Sequence, residues 1–167
     1  MKTLVPKTKK ELEKLIKQEI EKQGLDADLN HIDVSQITDM SYLFYNSDFN
    51  GNISQWNVSN VKYMTGMFAK SKFNQDISKW NVSKVIDMSD MFYGSKFNKD
   101  ISNWKIKNVK DMSRMFAESD FKGDLSKWDI TKVIDLKNMF RYSNITRDDI
   151  LKWGWKLPNY IKLEDLF

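Results

Sequence analysis

The chain repeats itself every 24 residues without a slip. At that interval Phe49 becomes Phe73, Phe97 and Phe121, and Trp56 becomes Trp80, Trp104 and Trp128. Ile53, Ile77, Ile101 and Leu125 lie between them; Val58, Val82, Ile106 and Ile130 follow, then Val61, Val85, Val109 and Val133. The second half of the unit recurs as Met64, Met88, Met112 and Leu136, as Met67, Met91, Met115 and Met139, as Phe68, Phe92, Phe116 and Phe140, and as Ser71, Ser95, Ser119 and Ser143. Self-similarity at such a period implies units that cannot bury their own apolar face and must stack on neighbours. The expectation is a solenoid of about five coils, counting an atypical first one through Leu25, Leu29, Ile32, Val34, Ile37, Met40, Leu43 and Phe44.

Within a unit, Val61, Met64, Met67 and Phe68 fall at helical spacing, which predicts a short helix or 3₁₀ turn capped by Ser59 or, one unit on, by Ser83. The stretch Asp76 to Val82 is β-branched and aromatic and alternates at Trp80 and Val82, which predicts one or two short strands. Stacked units would then form parallel sheets with strands roughly 4.8 Å apart. The fold class expected is α/β.

The pattern from Phe73 to Phe92, Phe-Asn-x-Asp-Ile-Ser-x-Trp-Asn-Val-Ser-x-Val-x-Asp-Met-Ser-x-Met-Phe, resembles the repeat of the BspA-like leucine-rich-repeat surface proteins of bacteria. That repeat also occurs in mycoplasma lipoproteins and in some phage and mobile-element proteins. The resemblance covers residues 25–143 in several full copies. It implies a leucine-rich-repeat-like solenoid that binds other macromolecules, and it brings no catalytic residues with it.

Three segments are expected: an N-terminal amphipathic capping helix over 1–24, the repeat over 25–143 and a C-terminal cap over 144–167. Thr8 and Glu11 have the spacing of a capping box, Gly24 can end the helix, and Leu12, Leu15, Ile16 and Ile20 form its apolar stripe. Trp153, Trp155, Leu163, Leu166 and Phe167 would close the other end, because a solenoid needs sealed termini.

Net charge is +4, but residues 25–140 hold 15 basic and 15 acidic groups, so the repeat itself is neutral. A nucleic-acid solenoid needs a surplus of Lys or Arg along one face, so protein recognition is preferred; only segregation of Lys79, Lys84, Lys127 and Lys132 would supply such a face. With no cysteine there is no disulfide or thiolate chemistry. No apolar stretch of about 18 residues offers a membrane span. The basic start runs into Glu11 and Glu13 instead of an apolar signal core, so a cytoplasmic or host-cell interior location is favoured, with a cell surface the alternative if a signal was removed.

Asp76, Asp100 and Asp124, with Asn52, would stack into a ladder that could hold Ca²⁺, although turn-capping is the commoner use of such residues. Ser54, Ser78, Ser102 and Ser126 form another ladder, but the sole histidine, His31, lies outside the regular units, so no nucleophile has a base. The expectation is no enzyme, no metal and no cofactor. Eight of the nine methionines occupy repeat core positions.

Specificity in a repeat protein resides where the copies differ. One variable column reads Tyr42, Gly66, Asp90, Arg114 and Asn138; a second reads Tyr45, Ala69, Tyr93, Ala117 and Arg141; a third reads Asn46, Lys70, Gly94, Glu118 and Tyr142. Tyrosine and arginine dominate interface hot spots, which selects Tyr42, Tyr45, Tyr63, Tyr93, Arg114, Arg141 and Tyr142 as partner-binding candidates. Gln55, Lys79, Asn103 and Lys127 form a second candidate surface. The function these features suggest is a non-catalytic protein-binding repeat module, an intracellular or phage-encoded inhibitor of a host factor or defence system. A surface adhesin and a nucleic-acid-binding solenoid are the alternatives.

Overall fold

The computed structural model describes residues 3–167; of the expected N-terminal cap, positions 1 and 2 lie outside the described residues. The regular elements are few: α1 over Lys9–Gln23, α2 over Arg147–Trp153 and a 3₁₀ turn over Leu163–Leu166. Among the described residues there is no strand or sheet, only isolated parallel bridges. The expected α/β leucine-rich-repeat-like solenoid of about five strand-and-helix coils is therefore incorrect.

The reason lies in the local chemistry of each unit. The predicted helix cannot propagate because residues 66 and 70, and their equivalents, take left-handed backbone angles. Its amides also turn away from the helical pattern: Met64, Gly66, Phe68 and Lys70 donate to the carbonyls of Asp87, Ser89, Met91 and Tyr93 in the following unit, at 2.6–3.0 Å. The predicted strand is likewise folded into turns. Asp76 Oδ1 accepts the Ser78 amide at 2.8 Å, the Trp80 amide closes on the Ile77 carbonyl, and Asn81 Oδ1 accepts the Ser83 amide. Ser59, expected to cap a helix, instead gives its amide to Asn57 Oδ1. Asx turns of this kind satisfy backbone donors without regular secondary structure.

What the period does build is a stack of turn-made layers. The bridges Asp39↔Tyr63, Tyr63↔Asp87, Asp87↔Asp111 and Asp111↔Asp135 each step 24 residues. Phe44, Phe68, Phe92, Phe116 and Phe140 stack with centroids 5.6–6.0 Å apart and nearly parallel rings. Phe49, Phe73, Phe97 and Phe121 form a second column at 6.3–6.4 Å. The four repeat tryptophans, Trp56, Trp80, Trp104 and Trp128, are buried, and each indole N–H donates to a carbonyl 27 residues earlier, from Trp56 to Leu29 through Trp128 to Ile101. These columns, together with the buried aliphatic residues between them, supply the cohesion of the stack.

The ends are built differently. Thr8 accepts the Glu11 amide and starts α1, but the Glu11 carboxylate reaches the Lys7 amide, so the expected capping box is only half formed. Gly24 ends the helix at φ 89°. Leu12 and Ile16 are buried against the first layer, and His31 Nε2 lies 3.3 Å from the buried Glu19 carboxylate. Leu4 adds itself to the first layer through the His31 carbonyl and the Asp33 amide. Leu25, expected in the core, is 47% exposed. At the other end Trp155, not Trp153, continues the indole series by donating to the Leu125 carbonyl at 3.0 Å. The carbonyls of Asp165 and Leu166 accept the Asn138 and Phe140 amides, standing where another layer would stand.

Candidate functional site

The two columns that vary most are also the ones held in left-handed conformation. Tyr42, Asp90, Arg114 and Asn138 have φ between 55° and 59°, with Gly66 at 57°; Asn46, Lys70, Glu118 and Tyr142 lie between 50° and 57°, with Gly94 at 60°. Glycine takes this conformation freely, whereas an L-residue pays roughly 1–2 kcal/mol for it. The repeat geometry thus demands the conformation in every layer, and the chain fills it with glycine at only Gly66 and Gly94 of these ten positions.

The side chains that result form three groups along one face. At the first end Tyr42 and Tyr45 meet edge to face, 6.0 Å apart, and both are about half exposed. The Tyr42 ring lies across Gly66, where a Cβ would collide with it. In the middle, the Arg114 guanidinium sits 4.6 Å from the Tyr93 ring centroid and Lys70 Nζ 5.8 Å from it. Arg114 Nε also approaches Asp90 Oδ1 to 2.9 Å, yet without hydrogen-bond alignment, so that buried oxygen has no bonded donor. Burial pushes the Asp90 carboxyl up, Arg114 opposes this, and the like charges of Asp111 and Asp87 add to the rise. At the far end Arg141 lies 4.8 Å over Tyr142 and donates to its hydroxyl at 3.2 Å.

The structure therefore brings together Tyr42 with Tyr45, Tyr93 with Arg114, and Arg141 with Tyr142. Tyr63 stands apart in the column of Asp39, Asp87, Asp111 and Asp135, exposed, with bridges to the layers on both sides. Gln55, Lys79, Asn103 and Lys127 form a separate exposed column in which Lys127 Nζ reaches Asn103 Oδ1 at 3.2 Å. A shallow groove of about 490 Å³, lined by Ser54, Gln55, Trp56, Asp76 and Lys79, opens beside that column. Lys70 and Asp90 belong to the middle group although they were not singled out by residue type; their positions in the variable columns were the signal. Of the segregated lysines considered above, Lys84 bonds Asn60 Oδ1 at 2.8 Å and Lys127 bonds Asn103, so these two cations are committed to polar neighbours one layer away.

The aspartate and serine ladders have a backbone use. Asp76, Asp100 and Asp124 each accept the amide two residues on, from Ser78, Ser102 and Ser126, at 2.8 Å. These bonds, the backbone one first, hold the Asp76 and Asp100 carboxyls below their ordinary value. Buried Ser71, Ser95 and Ser119 accept the amides of Phe73, Phe97 and Phe121 in the same manner. Among the described residues, no helix is long and apolar enough to cross a membrane.

The family described as "Mycoplasma protein of unknown function, DUF285" matches this chain over residues 10–120 and again over 94–167. No curated protein matches it. No solved structure matches it either.

Proposed function

The chain belongs to that Mycoplasma family, and on this premise we propose that it is a non-catalytic protein-binding repeat module whose recognition surface is the face formed by the left-handed columns. The observation that carries the proposal is the retention of eight non-glycine residues at positive φ, in columns where Gly66 and Gly94 occupy the same geometry. Six of the eight, Tyr42, Asn46, Lys70, Arg114, Glu118 and Tyr142, are exposed, and strain kept where packing gives little in return is characteristic of sites selected for contact. Four of the six tyrosines, Tyr42, Tyr45, Tyr93 and Tyr142, lie on this face, and rigid aromatic side chains supply contact area at low entropic cost. The commitment of the Asp and Ser ladders to backbone amides supports a binding role over a catalytic one.

The resemblance of Phe73 to Phe92 to BspA-like surface repeats, together with the Mycoplasma family, supports a surface-exposed ligand, the adhesin reading, over an intracellular host or defence factor. The test uses immobilised protein and host cells whose surface proteins are biotinylated before lysis and nuclease treatment. Wild type should retain a biotinylated protein that the folded variant Tyr42→Gly/Arg114→Gly/Tyr142→Gly does not. Capture of an unlabelled protein alone would return the setting to the cell interior. Equal retention by the variant, or loss of capture on nuclease treatment, would overturn the module as proposed.

A further inference from the structure

One row of peptide units joins successive layers with a single polarity. In the first layer the amides of Met40, Tyr42, Phe44 and Asn46 donate toward the C-terminal end, to the carbonyls of Tyr63, Thr65, Met67 and Ala69 at 2.8–2.9 Å. The same four rungs recur at Met64 to Lys70, Met88 to Gly94 and Met112 to Glu118. Each such row therefore shows carbonyls toward the N-terminal end and amides toward the C-terminal end. A stack with this polarity has two chemically distinct edges.

The chain covers part of both edges with its own segments. At the C-terminal edge the Asp165 and Leu166 carbonyls take the Asn138 and Phe140 amides at 2.6 and 2.7 Å. At the N-terminal end Leu4 pairs with the first layer at His31 and Asp33. The carbonyl row of that same layer, at Asp39, Ser41, Leu43 and Tyr45, accepts no hydrogen bond from any described residue. Beside it, Lys9 Nζ lies 3.7 Å from the Asp39 carboxylate. Exposed Tyr42 and Tyr45 flank the row, and the Tyr42 ring leans away from the edge, across Gly66 of the second layer.

We propose that this row, residues 39–45, is a docking edge for a polypeptide segment of a partner protein that presents backbone amides at every second residue, as the corresponding row of each layer does to the next. The proposal rests on the protein-binding reading and adds to it a second mode of contact, by backbone addition. Both chain-end segments, Leu4 and Asp165 with Leu166, already add to terminal layers by backbone bonds, which is the precedent for this occupant. Unpaired rows of main-chain groups are templates for such addition, with alternate side chains setting specificity. A segment with proline at the donating positions is excluded, since it lacks the amide.

The probe is a synthetic peptide of residues 85–95, whose amides at Met88, Asp90, Phe92 and Gly94 donate to the next layer within the protein. Titrated into ¹⁵N-labelled full chain, it should shift amide resonances of residues 38–48 and leave those of residues 136–142 in place. The same peptide N-methylated at the Asp90 and Phe92 positions should bind at least tenfold more weakly. Equal affinity of the two peptides, shifts elsewhere, or no shift at millimolar peptide would overturn the docking edge. Repeating the titration on the variant Arg114→Gly/Tyr142→Gly, which leaves residues 39–45 intact, separates the two ideas. Peptide binding that persists there while surface capture is lost assigns the functions to different places, and loss of peptide binding there returns the contact to the left-handed face and overturns the edge.

Discussion

Two columns of this stack lie two residues apart and differ in nearly everything but their backbone bonding. Phe44, Phe68, Phe92, Phe116 and Phe140 are one residue type, buried and stacked; Tyr42, Gly66, Asp90, Arg114 and Asn138 are five types, with Tyr42 and Arg114 exposed. Amides of the first four members of both columns donate to the following layer in the same way. The contrast shows that the backbone dictates the stack while burial dictates which side chains must agree. Identical rings are demanded where each ring's neighbours are copies of itself. No such demand reaches the solvent face, and there the left-handed geometry asks for glycine and receives something else.

The largest break in this comparison should come from the interior. Phe92→Ala removes a ring stacked on Phe68, Phe97 and Phe116, and should cost about 3–5 kcal/mol by denaturant unfolding. A loss near 1 kcal/mol would mean that adjacent layers close over the gap.

A smaller effect should come from the side-chain-closed turns. Asp100→Ala removes the acceptor for the Ser102 amide and should cost about 1 kcal/mol at neutral pH. Because that hydrogen bond lowers the folded-state pKa of Asp100, its stabilisation is present above the unfolded carboxyl range and is lost as pH falls through the folded value. The variant's deficit in melting temperature should therefore shrink on acidification. Asp90 has the opposite sign, since burial raises its folded-state pKa. Its contribution is present at low pH and is lost as pH rises through the folded value. Asp90→Asn should thus compare best with wild type at neutral pH and lose that advantage in acid, as read from melting temperature across the acid range.

The smallest effect on stability should come from the variable column, and it sharpens the comparison most. Arg114→Gly relieves a positive φ of 56° but loses the contacts to Tyr93 and Asp90, so stability should stay within about 1 kcal/mol of wild type. Partner capture should nevertheless fall. A destabilisation of several kcal/mol would assign Arg114 to the framework instead of the recognition face.

Much of this organisation was readable beforehand, though unevenly. The core was legible because Phe, Trp, Val and Met recur in register, and the positions assigned to it between Ile53 and Phe140 are buried. The secondary structure was not. Met64, Met67 and Phe68 have helical spacing, yet the left-handed residues at Gly66 and Lys70 break the helix, and a non-glycine residue such as Lys70 gives no local sign of positive φ. Asp76 to Val82 has strand-like composition, but the Asp76 and Asn81 side chains convert it to turns. The variable columns could be identified from the copies, whereas the closeness of Arg114 to Tyr93 and of Tyr42 to Gly66 depends on which side chains adjacent layers bring together.

By itself, the sequence determined the period, the register and the buried residues of the regular units, because periodic apolar side chains can leave water together only when successive copies align. Only the tertiary structure decided the path within each layer. Asx turns, left-handed residues and interlayer amide bonds gain their full value once a neighbouring layer supplies the acceptor. It also decided which row of carbonyls receives no donor from the described residues, because that depends on where the Leu4 and Asp165–Leu166 segments pack.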